Sequence, residues 1–364
     1  MKILLVPNAL KGSLSAREMC TLAQAVLTKH TVKAFPISDG GDGLLDFFKT
    51  LDPHAKKISV TARNAFLQPK RTEFLLTKNG KGAVVETARI CGLANAKKLD
   101  PLGACSYGVG EVILQAVKRG AKEIWVGLGG VACNDGGAGM AAACGAKLTD
   151  KNGKIIPLGA APLLRATHVD LTDLKKQLKG VKIFGIADVT NPLLGKKSSA
   201  KVFGPQKGAT PAQVKELDKA MAVWARVLKK ATGKTISNVP STAAAGAIAA
   251  GLYGAFDAQL YLGADLLLQK AHLEKYVQWA DLIITAEGKL DGQTFYGKAP
   301  LAVLKLAKKY RKKTLFICGQ LDEKVLSKNQ YAPDILAVLT DFAPSVEYAK
   351  AHAKKYVRQI LKSI

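Results

Sequence analysis

No stretch of this chain holds eighteen consecutive apolar residues, so nothing in it predicts a membrane-spanning helix. Aromatic residues are scarce at 6%, which leaves few platforms on which nucleic-acid bases could stack. Arginine is scarcer still. Only nine of the 54 basic residues are arginines, and arginine is the residue that forks onto bases and phosphates. The five histidines (His30, His54, His168, His272, His352) fall outside every motif described below, so no zinc site is expected. The six cysteines (Cys20, Cys91, Cys105, Cys133, Cys144, Cys318) form no C-x-x-C pair and read as reduced, mostly buried small hydrophobes. The familiar nucleotide signatures are missing too. Gly233-Lys234-Thr235 resembles the end of a P-loop, but Leu228 stands where its first glycine belongs; it reads instead as a helix C-cap. Gly127-Leu128-Gly129-Gly130 has Ala132 in place of the last glycine of a dinucleotide fingerprint.

What the chain has in excess is lysine. Its formal net charge is +26. A basic field attracts phosphates, but lysine without arginine or aromatics, spread over runs such as Lys305–Lys313, reads as a solvated surface rather than a nucleic-acid face. Such a surface also draws in small anionic substrates. With 48% apolar and 23% charged residues the chain is expected to be a soluble globular protein, and 364 residues suit two domains better than one. The opening Met1–Asn8 segment is too short for a signal peptide and reads as a first β-strand, so a cytoplasmic protein is expected.

Five short apolar runs have the character of buried parallel strands: Lys2–Val6, Val32–Ile37, Asp281–Thr285, Thr314–Cys318 and Ile335–Leu339. Helical patterns accompany them at Ser15–Leu27, Leu301–Ala307 and Val346–Leu361, the first with a Ser15/Glu18 capping box. Residues 1–55 and 276–364 therefore predict one discontinuous, doubly wound α/β domain. Residues 56–275 read as an inserted α/β domain. It has extended segments at Lys57–Thr61 and Arg71–Thr77, a turn at Lys78–Gly82 into Ala83–Glu86, and strands at Ile124–Leu128 and Lys182–Ala187. Its helices are expected at Gly108–Lys118, Gly136–Cys144, Pro211–Ala231 and Thr242–Phe256. A substrate site is expected in the cleft between the domains.

The chemistry concentrates where strands end. Asp39-Gly40-Gly41-Asp42-Gly43 and Asn134-Asp135-Gly136-Gly137-Ala138-Gly139 each follow an apolar run and precede a helix. Glycine lets the backbone approach a ligand closely, and the acidic groups place charge at the turn. Asp, Asn and Gly also dominate ordinary turns, but two such junctions at strand ends favour a site for small anions. Asn8, Lys11 and Ser13 follow the first strand, where a helix start can hold a carboxylate or phosphate. Asp188 and Asn191 follow another strand, and a Gly/Pro-shaped loop presents Gln206 and Lys207. Thr285–Thr294 carries Glu287, Lys289 and Asp291, more charge than structure alone justifies burying.

The ordered motifs P-N-A-L-K-G-S, S-D-G-G-D-G, Y-G-x-G-E, G-x-G-G-x-A-x-N-D-G-G-A-G, D-V-T-N-P-L, F-G-P-Q-K-G-A and T-A-E-G-K-L-D-G-Q-T resemble the type-1 glycerate kinase family over essentially the whole chain. The resemblance implies a flavodoxin-like domain with a large inserted α/β domain, and ATP-dependent phosphorylation of D-glycerate to 2-phosphoglycerate with Mg²⁺. The sequence departs from the family at Asn8, where Asp is common, and at Ala243-Ala244-Ala245-Gly246-Ala247, where the family has G-A-A-G-G. Phosphoryl transfer needs positioning and charge neutralisation. Asp188, Glu287 and Asp291 form the expected pool for metal binding and proton acceptance, with Asp188 and Glu287 as metal ligands. Lys11, Lys207 and Lys289 are expected to neutralise phosphate or carboxylate. Asn8, Ser13, Asp39, Gly40, Gly41, Asp42, Asn134, Asp135, Gly136, Asn191, Gln206 and Thr294 are expected to line the substrate and ATP site. No nucleic-acid or membrane partner is expected, and a homo-oligomer is left open. A kinase for another small hydroxy acid and a basic nucleic-acid-binding protein are the competing readings.

Overall fold

The computed structural model describes every residue except 39, 42, 95, 293–298 and 323–329, together with the side chains of 265 and 267. The chain divides into two compact units. The first comprises Met1–Asp39, Asp46–Leu51 and Gly263–Ile364, and the second Gly40–Leu45 and Asp52–Leu262. It begins with strands β1 (Lys2–Pro7) and β2 (Thr31–Ala34), then builds the second unit from β3 (Lys56–Arg63), β4 (Pro69–Leu76), β5 (Gly82–Glu86), β6 (Glu123–Leu128), β7 (Lys147–Thr149), β8 (His168–Asp170), β9 (Lys182–Ala187) and β10 (Gln259–Leu262). It returns through β11 (Leu282–Leu290), β12 (Lys313–Leu321) and β13 (Ile335–Val338). Among the described residues no helix is long and apolar enough to cross a membrane.

In the first unit the five strands lie in the order β13-β12-β11-β1-β2, all parallel. Counted along the chain this is 2-1-3-4-5, the flavodoxin-like doubly wound order. Both faces are covered, as a parallel sheet requires. Ile3, Leu5, Ile284 and Ile317 pack with Met19, Leu22 and Val357 on one face. Phe316 and Cys318, one residue out of phase, pack with Leu304 and Leu290 on the other. The Ser15/Glu18 capping box forms and starts the helix Ala16–Val26. β2 ends at Ala34 instead of reaching Ile37. Pro36 has no donor, yet Phe35 and Ile37 still donate to Leu5 and Pro7, as an edge strand permits. The helix expected over Val346–Leu361 is two, Val346–Ala351 and Ala353–Lys362. They part at His352, whose ring folds back to stack on Tyr348.

The second unit has a six-stranded sheet ordered β10-β9-β6-β5-β4-β3. β5, β6, β9 and β10 run parallel, while β3 and β4 form an antiparallel hairpin leading into β5. The sequence places the return to the first domain at 276; in the structure the second unit ends at Leu262, because Gln259–Leu262 is the strand that pairs with β9. β7 and β8 form a small separate ladder that the sequence reading omits. The helix expected from Thr242 begins only at Ile248. Ser241–Ala247 is a turn in which Ser241, Ala245, Gly246 and Ala247 all have positive φ. Thr242 anchors it, donating to the Val239 carbonyl at 2.6 Å and accepting from Leu193 N–H at 2.9 Å. The C-cap expected at Gly233 forms, with φ 76° and its N–H on the Lys229 carbonyl. All six cysteines are buried and free.

Candidate active site

The strand order of the first unit reverses between β1 and β11, and in such sheets the crevice beyond the carboxyl ends at that point is the usual ligand site. Asn8, Lys11 and Ser13 follow β1, while Glu287 and Lys289 lie near the end of β11 and Asp291 directly follows it. β11 runs to Leu290, so Glu287 and Lys289 are strand residues rather than members of a loop; they share one face of the ladder, opposite Cys318 and Gln320. Asn8 is buried, its N–H bonded to the Ala286 carbonyl and its Oδ1 accepting from Ala9 N–H at 2.8 Å. Its side chain is thus engaged in the turn itself. Glu287 is buried, Asp291 half-buried, and Lys11, Ser13 and Lys289 are exposed. The Ser13 hydroxyl donates to the Lys350 carbonyl at 3.0 Å. Gly288 lets the Lys11 turn rest on β11, because a Cβ there would stand 3.0 Å from Lys11 N.

In the second unit, Gly40 and Gly41 pack against the carboxyl ends of β6 and β9. A Cβ on Gly40 would meet the Ile186 carbonyl oxygen at 2.6 Å, and one on Gly129 would meet Gly41 Cα at 2.8 Å. Backbone-on-backbone contact therefore requires glycine at 40 and 129. Asp39 and Asp42, like Thr294, lie outside the described residues. Asp188, directly after β9, is exposed, and Asn191 is half-buried with its Nδ2 donating to the Lys197 carbonyl at 3.0 Å. Glu86, which the sequence reading passed over, is 2% exposed at the end of β5. Its Oε2 accepts from Leu45 N–H at 3.2 Å and its Oε1 faces Arg89 Nε at 3.2 Å. A carboxylate immediately after Ala83-Val84-Val85 was the available signal, the same strand-end pattern that drew attention to Asp188.

Asp135 requires a correction. It is fully buried, and its carboxylate accepts from Ser106 N–H and Oγ–H at 2.8 Å each, from Gly139 N–H at 3.0 Å and from Gly137 N–H at 3.3 Å. Burial pushes its pKa up while these donors pull it down. With its oxygens accepting from the chain's own donors, it is buried in the frame of the loop and holds its shape. Gly136 is likewise enclosed, since its carbonyl accepts from Trp224 Nε1 at 2.9 Å. Asn134 is buried, with Nδ2 on the Pro101 carbonyl and Oδ1 on Lys207.

Lys207 is corrected in the same way. It is 3% exposed rather than presented by its loop, and its ammonium donates to the Cys133 carbonyl at 2.6 Å and to Asn134 Oδ1 at 3.0 Å. Burial pulls its pKa down. Gly246 gives it room, because a Cβ at 246 would stand 2.8 Å from the Lys207 nitrogen and 1.9 Å from the Cys133 carbonyl oxygen. Gln206, its neighbour, is exposed.

Among the described residues no group of three or more His, Cys, Asp or Glu side chains gathers as a metal cage. Mg²⁺ does not need one, since it is commonly held by one or two carboxylates together with phosphate oxygens and waters. Glu287 is a buried carboxylate near the end of a parallel strand in the first unit, and Asp188 is an exposed carboxylate directly after one in the second.

A flavodoxin-like sheet with an inserted α/β domain, each with charged side chains at parallel-strand ends, defines an α/β enzyme architecture for small molecules. The model of the glycerate kinase family matches residues 3–364. The glycerate 2-kinase of Escherichia coli K12 is 36% identical over 347 residues, covering 93% of this chain and 91% of its own length. The glycerate kinase of Bacillus subtilis 168 is 34% identical, covering all of this chain and 97% of its own. A crystal structure assigned to glycerate kinase 2 of Salmonella typhimurium LT2 superposes with a TM-score of 0.82 at 32% identity, covering 100% of this chain and 96% of that one. The chain belongs to the glycerate kinase family.

Proposed function

We propose that this kinase transfers the γ-phosphoryl group of ATP to the O2 hydroxyl of D-glycerate, giving 2-phosphoglycerate and ADP. The observation that carries the reading is the placement of Lys11, Glu287, Lys289 and Asp291 at the switch point of a 2-1-3-4-5 parallel sheet, in a chain of this family. The new bond joins O2 to the γ-phosphorus, the bond to the β,γ-bridging oxygen breaks, and the hydroxyl proton passes to a carboxylate. Asp291 and Asp188 are the candidates for that base. Glu287 and Asp188 are the candidates to hold Mg²⁺, which supplies charge neutralisation of the phosphates when bound. Lys11 and Lys289, both exposed, offer cations to phosphate or to the glycerate carboxylate. Gly40, Gly41, Asn191 and Gln206 contribute backbone and amide groups.

The test is turnover of ATP with D-glycerate and Mg²⁺, with the product resolved as 2- or 3-phosphoglycerate. ADP release at background rate defeats the reading, and 3-phosphoglycerate as sole product overturns its regiochemistry. One observation keeps a second acid substrate in view. Ala247 replaces a glycine of the family pattern and is held at φ 63°. A panel of small 2-hydroxy acids with ATP separates the two, glycerate being expected to give the highest kcat/KM.

A further inference from the structure

We infer that Glu86 is a positioning residue, acting through Leu45 N–H to set the segment that holds Gly40, Gly41, Leu44 and Leu45, taken at those four residues, on the ends of β6 and β9. This rests on the reading above, in which that segment takes part in binding. Glu86 is 2% exposed, yet it carries an acid into the end of a parallel strand. Such burial is costly unless the charge is paired and hydrogen-bonded; here one oxygen accepts a backbone N–H and the other faces a guanidinium. Oε2 takes Leu45 N–H at 3.2 Å, in the first turn of the helix Leu44–Leu51, where unpaired N–H groups and the helix dipole favour a negative charge. Oε1 lies 3.2 Å from Arg89 Nε, and Arg89 is itself held by Glu73 at 2.7 Å.

The next residue grips the other side of the same contact. Thr87 is fully buried, and its hydroxyl reaches the Gly127 carbonyl at 2.7 Å and the Gly129 carbonyl at 3.3 Å. Those are the glycines on which the segment rests: a Cβ on Gly127 would stand 2.5 Å from the Gly40 carbonyl oxygen and 2.6 Å from Leu44 Cδ2. Consecutive side chains therefore fix both partners of a contact that tolerates no methyl group. The geometry demands that position be held to a few tenths of an ångström, and binding groups displaced by about 1 Å can cost on the order of 10²-fold in rate.

The test measures amide hydrogen exchange and steady-state kinetics on Glu86→Ala and Glu86→Gln in the full chain. Glu86→Ala should lose protection at Leu45 while the β6 and β9 amides keep theirs, and kcat/KM for D-glycerate should fall about 10- to 100-fold. Glu86→Gln, whose amide oxygen still accepts from Leu45 N–H, should restore both to within about threefold of wild type. Normal kcat/KM in a Glu86→Ala variant that has lost Leu45 protection overturns the inference, as does unchanged Leu45 protection. If Glu86→Ala does not fold, Thr87→Val takes its place, with the same exchange expected at Gly40 and Gly41; normal kinetics there count against it equally. A wild-type protein inactive on D-glycerate refutes the proposed function, whereas the exchange arm still decides whether Glu86 holds the segment.

Discussion

In the second unit Asp135, Asn134, Lys207 and Glu86 are all at most 5% exposed, and each is bonded to the chain's own backbone or side-chain groups. In the first, Lys11, Ser13 and Lys289 stand in solvent beside a buried Glu287. Both regions sit around the carboxyl ends of parallel strands and both are written in Asp, Asn, Lys and Gly. The second unit spends these polar side chains on holding loops in shape, while Asp188 is exposed and Asn191 half-buried. The first presents side chains directly. A polar residue near a strand end is thus either part of a frame or part of a chemistry, and burial with satisfied hydrogen bonds separates the two.

The sharpest way to break this contrast is Asp135→Ala. It leaves the donors of Ser106, Gly137 and Gly139 without their acceptor in a dry interior, each at about 1–3 kcal/mol. A loss of about 3–5 kcal/mol in urea unfolding is expected after partial relaxation. A loss below about 1 kcal/mol would mean that the carboxylate is dispensable to the frame. On the other side of the contrast, Asp291→Asn should leave unfolding within about 0.5 kcal/mol of wild type and cut kcat at least about 100-fold, near 2.7 kcal/mol in barrier. Asp188→Asn should behave in the same way, because Asp188 is exposed directly after β9. Wild-type turnover in both variants removes carboxylates at 188 and 291 from the mechanism.

These assignments mark how far the sequence was legible. The central strands of the first unit are readable because a parallel strand covered on both faces is a continuous apolar run, and Ile3-Leu4-Leu5-Val6 and Leu315-Phe316-Ile317 are such runs. The capping residue Ser15 is readable because its chemistry is local. Asp135 and Lys207 are not, since a solvated turn and a buried clamp use the same letters, and only tertiary contacts reveal which oxygens are already taken. Ser241–Ala247 misleads for another reason: four of its seven residues are alanine, the best helix former, and it is the hydroxyl of Thr242 and the approach of Gly246 to Cys133 that hold it in a turn.

Lys207 sharpens the frame side through pH. Lys207→Met removes the donor from the Cys133 carbonyl and Asn134 Oδ1, and about 1–3 kcal/mol of stability is expected to go with it. Burial lowers the lysine's pKa in the folded state. Between that lowered value and the ordinary lysine value the unfolded chain binds more protons than the folded one, so stability rises with pH across that window. Urea unfolding of both proteins from pH 7 to 10 should therefore show the gap between wild type and Lys207→Met widening as pH increases. A constant gap would mean that the ammonium is as comfortable inside as in water.

The smallest effect tests the strained turn around that lysine. Ala245 and Ala247 both have positive φ, 53° and 63°, a conformation that costs an L-residue about 1–2 kcal/mol. Replacement by glycine removes that cost and raises the entropy of the unfolded chain by about 0.4–1 kcal/mol. At Ala245, half-buried, the balance favours glycine by about 0.5 kcal/mol. Ala247 is fully buried in the core of the second unit, so deleting its methyl forfeits about a further 0.8 kcal/mol of burial, bringing the net change near zero. Ala245→Gly should therefore unfold at higher urea than Ala247→Gly. The opposite order would show that the buried methyl of Ala247 is itself under compression, and that the glycine of the family pattern is the better fit at that position.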